Sequence, residues 1–175
     1  MKIHNEWEAF RPYFKPLDVP ARTLLLEEGQ ISRTMFYIEK GCLRTWINND
    51  GKEITTQFFF EGDSVSSIES FRTQQPSLYS IETIEPCQLQ SISHQDFEKA
   101  LDDDPVLKKR LEERLFRRLF ESQKIIFSYL RNNPRKRYEE LLQVYPHIIQ
   151  RVPQHYIASY LGITPVSLSR IRNRR

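Results

Sequence analysis

Glycine is scarce in this chain, with five in 175 residues. Four sit at positions 29, 41, 51 and 62, and none occurs from 63 to 161. Cysteine is scarcer still, with Cys42 and Cys87 alone. Two cysteines exclude a disulfide framework or a cysteine-rich metal cluster, and read as buried thiols in a reducing compartment. The four histidines, His4, His94, His147 and His155, are scattered. That speaks against the converging His and carboxylate set of a metal-dependent enzyme. Long apolar runs are missing too. No segment approaches the ~18 residues a membrane span needs, and the opening MKIHNEWEAF lacks the apolar stretch of a signal peptide. The expectation is a cytoplasmic protein with no membrane contact, no cofactor, no bound metal and no enzymatic activity.

What is present changes character along the chain. The early glycines recur every 10–12 residues, each in turn company: EEGQ, EKGC, NNDGKE and FEGD. Turns at that spacing mark an all-β sandwich or barrel. Asp50-Gly51 is the clearest hairpin turn, because a tight reversal needs a positive φ that glycine adopts cheaply. Between the turns lie β-type runs at 34–39, 42–48, 53–60, 79–85 and 87–93, rich in Ile, Thr, Tyr and Phe and mostly alternating. A short helix is predicted over 5–14, with Trp7, Phe10 and Phe14 on one side.

The glycine-free stretch reads as helical. A short helix is expected over 94–104. A long one over 106–131 follows, with Asp104 as N-cap and Pro105 at its first position, where a missing N–H costs nothing. Its apolar stripe runs through Leu107, Leu111, Leu115, Leu119, Ile126 and Leu130, widened by Phe116, Phe120 and Phe127. At ~1.5 Å per residue it reaches ~39 Å, more than a small β roll can cover. Leu111, Leu115, Leu119, Ile126 and Leu130 therefore read as a seam for a second copy. The NNPRKR break at 132–137 precedes another helix, over 135–145.

Charge divides the same way. Residues 1–104 carry 10 Lys/Arg against 18 Asp/Glu, and residues 105–175 carry 16 against 5. A basic half of that strength points to a polyanion. The end of that half, QHYIASYLGITPVSLSRIRN at 154–173, fits a helix-turn-helix. With Gln154 as the first position, a small residue (Ala158) stands fifth and a left-handed-tolerant one (Gly162) ninth. Apolar residues Ile157, Leu161, Ile163, Leu168 and Ile171 fill the inward positions. The second helix opens with Thr164 as N-cap and Pro165 in its first turn. The N-terminal part of such a helix enters the major groove. Val166, Ser167 and Arg170 are the candidate base contacts, with Arg170 able to give guanine two hydrogen bonds. Gln154, His155, Thr164, Arg172 and Arg174 are the candidate phosphate contacts.

This order of parts resembles the Crp/Fnr transcription regulators, named for the cyclic-AMP receptor protein. FFFEGDSV at 58–65 matches the family's turn into its effector pocket, and YIASYLGITPVSLSRIR at 156–172 matches its DNA-reading unit. The resemblance implies an α+β chain with three parts. The first, 1–104, is a double-stranded β-helix, a jelly-roll of the cyclic-nucleotide-binding kind. A dimerisation helix follows at 105–132, and then a helix-turn-helix domain without a wing at 133–175. It implies a homodimer on double-stranded DNA, with RNA polymerase and an unidentified small-molecule effector as further partners. Three departures stand out. The family's Gly-Glu and Arg-Ser pairs, which hold the ribose and the cyclic phosphate, are here Ser66-Ser67 and Ser77-Leu78. A buried phosphate at Ser77 would have no cation, so cyclic AMP or GMP in the usual mode is not expected. Ser66, Ser67, Ser77 and Leu78 are instead candidates to line a pocket for another ligand. Two cysteines cannot supply the four that hold the family's iron–sulfur cluster, and His94 reads as a surface histidine rather than a haem ligand. The reading helix opens with Pro165-Val166 where the family often has Arg-Glu, so the operator should differ. The alternative is a ligand-binding module that acts through protein contacts without DNA.

Overall fold

Two four-stranded antiparallel sheets face each other in the first half of the structure, a computed structural model that describes residues 7–173. The strands are β1 (Lys15–Val19), β2 (Leu24–Leu26), β3 (Thr34–Lys40), β4 (Leu43–Asn49), β5 (Lys52–Phe59), β6 (Ser64–Val65), β7 (Ser80–Thr83) and β8 (Cys87–Ser93). They run β1-β8-β3-β6 in one sheet and β2-β7-β4-β5 in the other. Each expected β run holds a strand whose ends fall within a residue or two of it. β4 and β5 form a hairpin that turns at Asp50-Gly51 and pairs Asn49 with Lys52. The Gly51 amide donates to Asn48 Oδ1 at 2.9 Å. Between the sheets, Ile38, Leu43, Ile81 and Leu89 are almost wholly buried. Each such side chain stabilises the roll by about 1.5–3 kcal/mol relative to exposure.

Five elements, β1, β2, β6 and two short helices, were not anticipated. β1 is an edge strand that carries Pro16 and leaves four of its five side chains exposed, so it shows no alternation. The two-residue β6 and the helix α1 (Ile68–Thr73) are too short for a periodic signal. The helix expected over 5–14 differs as well. It is a 3-10 helix, Glu8–Tyr13, with Pro12 inside it, where no amide is available for an α-helical bond. Residues 5 and 6 lie outside the described residues. Trp7 and Phe10 join a second core with Tyr37, Phe71, Phe97 and Leu107.

The helices follow expectation more closely. After α2 (His94–Asp103) comes α3 (Pro105–Arg131), 27 residues long. Asp104 Oδ1 accepts from the Val106 and Leu107 amides at 2.9 and 3.2 Å. α4 (Pro134–Val144) is capped likewise, Asn133 Oδ1 accepting from the Lys136 amide at 3.0 Å. The short α5 (Ile148–Arg151) then leads into α6 (Gln154–Tyr160) and α7 (Pro165–Asn173). Gly162, at φ +67°, makes the bend between α6 and α7 in the left-handed conformation expected of it.

Candidate nucleic-acid interface and ligand cavity

The α6–α7 pair is built around apolar side chains turned inward. Ile157, Ala158, Leu161 and Leu168 are buried, with Ile163 and Ile171 packed at its edge. Turning those residues inward turns the others out. Val166 is 61% exposed, and Arg170 is exposed beside it on α7. Ser167 is half-buried, and its Oγ lies 3.0 Å from Thr164 Oγ1. Thr164 also caps α7, accepting from the Ser167 amide at 3.2 Å. Gln154 and His155 are exposed at the start of α6, and Arg172 is half-exposed near the end of α7. Arg174 lies outside the described residues. The structure therefore brings Val166, Ser167 and Arg170 together on one helix, with Gln154 and His155 at the start of the other.

The buried side of this unit rests on the roll, which sequence reasoning did not foresee. Phe58, Cys42 and Ile84 of the roll share one core with Tyr138, Leu141, Ile148, Val152 and Ile157. Ser159 Oγ donates to the Glu53 carbonyl and accepts from the Thr55 amide of β5, at 2.9 and 3.0 Å. Arg44 is the hub. It is 1% exposed, sits opposite Glu82 in register, and stacks under Tyr156 of α6 with 3.8 Å from guanidinium carbon to ring centre. Its Nε and Nη2 donate to Glu82 Oε2 at 2.9 and 2.6 Å, Nη1 donates to Thr55 Oγ1 at 3.3 Å, and Nη2 also meets Glu53. A buried cation is tolerable only when paired in this way. Glu82 comes from the neighbouring strand β7 and Glu53 from β5, so the local sequence around Arg44 carried no signal of the cluster.

A second joint lies at α5. Arg151 donates to both oxygens of Glu61, at 2.8 and 2.7 Å, and to Glu85. Burial alone would raise the Glu61 carboxyl, but Arg151 and the Gly41 amide outweigh it and hold its pKa down at about 2. Part of the opposition between an acidic roll and a basic tail is thus used inside the molecule, at this joint and around Arg44.

A cavity of about 720 Å³ opens between the roll and α3. Met35, Phe59, Phe71, Phe97 and Leu111 give it an apolar wall, and Thr45, Thr56, Ser64 and Ser66 line it with hydroxyls. Of the four candidate pocket residues only Ser66 is on this wall. Ser77 Oγ donates to its own loop at the Tyr79 carbonyl, 2.6 Å away, and Leu78 is 69% exposed. Ser67 is buried ahead of α1, off the cavity. Beside the cavity α3 presents an apolar strip to solvent. Leu115, Phe116, Leu119, Phe120, Ile126, Phe127 and Leu130 are all exposed, while Leu111 packs on the chain's own core.

The roll is the part known relatives explain. The cyclic nucleotide-binding domain family matches residues 16–104, about half of the chain. The chain belongs to that family. Among curated proteins it is similar to the cAMP-activated global transcriptional regulator CRP of Salmonella typhimurium. The two are 26% identical over 101 residues, 57% of this chain and 48% of that protein. It is also 27% identical over 110 residues to the Pycsar effector protein XpPycTIR of Xanthomonas perforans, 63% of this chain and 35% of the other. The chain spans about half the length, or less, of these curated relatives. Among solved structures, FixK2 from Bradyrhizobium japonicum matches with a TM-score of 0.79 at 15% identity, over 92% of this chain and 83% of that one. The c-di-GMP-responsive global regulator CLP of Xanthomonas campestris matches with 0.73 at 17%, over 95% and 88%. The fold is that of Crp/Fnr regulators across nearly the whole chain, beyond the roll. No helix among the described residues is long and apolar enough to cross a membrane.

Proposed function

We propose that this chain is a sequence-specific DNA-binding transcription regulator that acts as a homodimer and answers to a ligand other than a cyclic nucleotide. The observation that carries the reading is the division of α7: Leu168 packs inward while Val166 and Arg170 face solvent on one unobstructed side. A helix so presented, with basic residues at hand, fits the major groove. The apolar strip on α3 supports pairing with a second copy, since contiguous exposed apolar surface of this kind marks an interface. Two α7 helices carried by such a pair would meet successive major grooves, ~34 Å apart. The strand β5 supports control by a ligand. Thr56 and Phe59 line the cavity, while Thr55 and Phe58 meet the helix-turn-helix unit. Ser67 and Ser77 occupy the sequence positions that match the family's ribose and phosphate contacts, and neither carries charge.

The test is fluorescence anisotropy on selected duplex DNA across a salt series. Affinity should fall steeply as salt rises, because phosphate contacts release counterions. Arg170→Ala should lose about 1–3 kcal/mol of binding, and the loss should concentrate at one base pair. A variant that bound as tightly as the parent would remove Arg170 from the reading face. The protein-contact alternative predicts no DNA binding at low salt, and no observation here favours it.

A further inference from the structure

The cavity is more than an empty fold feature, because two buried polar groups on its wall are left without partners. Ser66 is 6% exposed, and its Oγ has no hydrogen-bond partner among the described residues. Trp7 is 4% exposed, and its indole Nε1 likewise has none. Both residues line the same cavity. An unpaired buried polar group destabilises the fold, so two on one wall point to something that pairs them. An indole N–H only donates, which makes the missing partner an acceptor.

The charge of the wall says which acceptor. Arg72, Lys108, Arg114 and Arg118 line the cavity against a single carboxylate, Glu112. Arg72 is engaged by Glu98. Two arginines of α3 share the wall with the orphaned groups, and Arg114 stands beside the Trp7 indole. Arg114 has its guanidinium carbon 4.9 Å from the Trp7 ring centre, and its Nη2 is 3.4 Å from Ser64 Oγ. Arg118 lies over Phe59 at 5.2 Å, with Glu121 3.8 Å from its Nη1. The rest of the wall is aromatic and aliphatic. A volume of about 720 Å³ suits a metabolite-sized molecule.

We propose that the cavity binds a small acidic molecule with a largely apolar body. Its acid head is held by Arg114, Arg118, Trp7 Nε1–H and Ser66, and its body lies on Met35, Phe59, Phe71 and Phe97. The anion is thus taken by the long helix rather than by the roll. Leu115 and Leu119 belong both to the cavity wall and to the exposed strip, so a second α3 laid along that strip would border the bound ligand. The proposal rests on the regulator reading for its biological role, but its test needs no DNA. Failure to bind acids leaves DNA binding standing, and failure to bind DNA leaves the ligand result standing.

The experiment is calorimetric titration of the full chain with decanoate, 2-naphthoate, 1-decanol and cyclic AMP. Decanoate or naphthoate should bind at least tenfold tighter than decanol or cyclic AMP, and the two acids separate a chain-shaped body from a ringed one. Arg114→Gln with Arg118→Gln should weaken the acid at least tenfold and leave decanol within twofold. Arg114→Lys with Arg118→Lys should recover part of the loss. Acid binding unchanged in the Gln pair, no acid binding to the parent, or tighter binding of cyclic AMP would each overturn the proposal. If the Gln pair does not fold, the parent decides it alone: decanol binding as well as decanoate defeats the acid assignment.

Discussion

The two faces of β5 are finished differently. On the outer face the hydroxyls and charges of the joint are answered, and only the Trp46 indole Nε1 beside Arg44 lacks a partner among the described residues of β4 and β5. Ser159 takes a carbonyl and an amide of β5, and Arg44 takes Glu82, Glu53 and Thr55 under the Tyr156 ring. On the cavity face Ser66 and Trp7 keep unpaired polar atoms beside the arginines of α3. A satisfied network fixes one arrangement, because each broken link leaves a buried charge or dipole stranded. An unsatisfied wall instead stores a preference for whatever completes it. One strand therefore joins a closed interface to an open site.

The comparison breaks first at its hub. Arg44→Ala should cost about 3–5 kcal/mol of stability, since it strands the half-buried Glu82, leaves Thr55 without its guanidinium partner and removes the platform under Tyr156. Urea unfolding measures the loss, and a cost below 1 kcal/mol would mean that the outer face is not a closed network. Glu61→Gln should cost about 1.5–3 kcal/mol at neutral pH by weakening both bonds from Arg151. Glu61 has a folded-state pKa of about 2, below its usual value, so its contribution is full above the unfolded carboxylate range. It fades as pH falls through about 2, and the parent and variant curves should converge there. A gap that widened on acidification would give the wrong sign and reject the assignment. Ser159→Ala is the mildest break, about 1 kcal/mol for two exchanged hydrogen bonds at a partly exposed site. All three should leave binding of small acids in the cavity within twofold, as measured by the same titrations. Parallel loss of ligand binding would show that the faces are not separable.

How legible this was depended on the length and period of each signal. The long α3, its Asp104-Pro105 start and the Asp50-Gly51 hairpin were readable because each is a local pattern with one physical solution. The pair α6 and α7 with its bend at Gly162 was readable for the same reason, since Ala158, Gly162 and the inward apolar residues all lie within twenty positions. β1 and β6 were not, one being an exposed edge strand with a proline and the other only two residues long. The cavity was harder. Ser66 could be placed by its distance from the FEGD turn, but nothing local sets Arg114 and Arg118 apart from the other charges of α3 until that helix is seen lying against the roll. Arg44 shows the limit most plainly. It looks like an outward residue on an alternating strand, and only the packing of α6 over β4 and β5 buries it.

The most direct test of the account is selection of bound sequences from a random duplex pool, with the parent and Arg170→Ala run in parallel. The account predicts an inverted repeat whose half-sites are centred about one helical turn, ~34 Å, apart, with one position per half-site relaxed in the variant. Enrichment of no sequence, or of single half-sites without symmetry, would contradict a paired α7 as the reader of DNA.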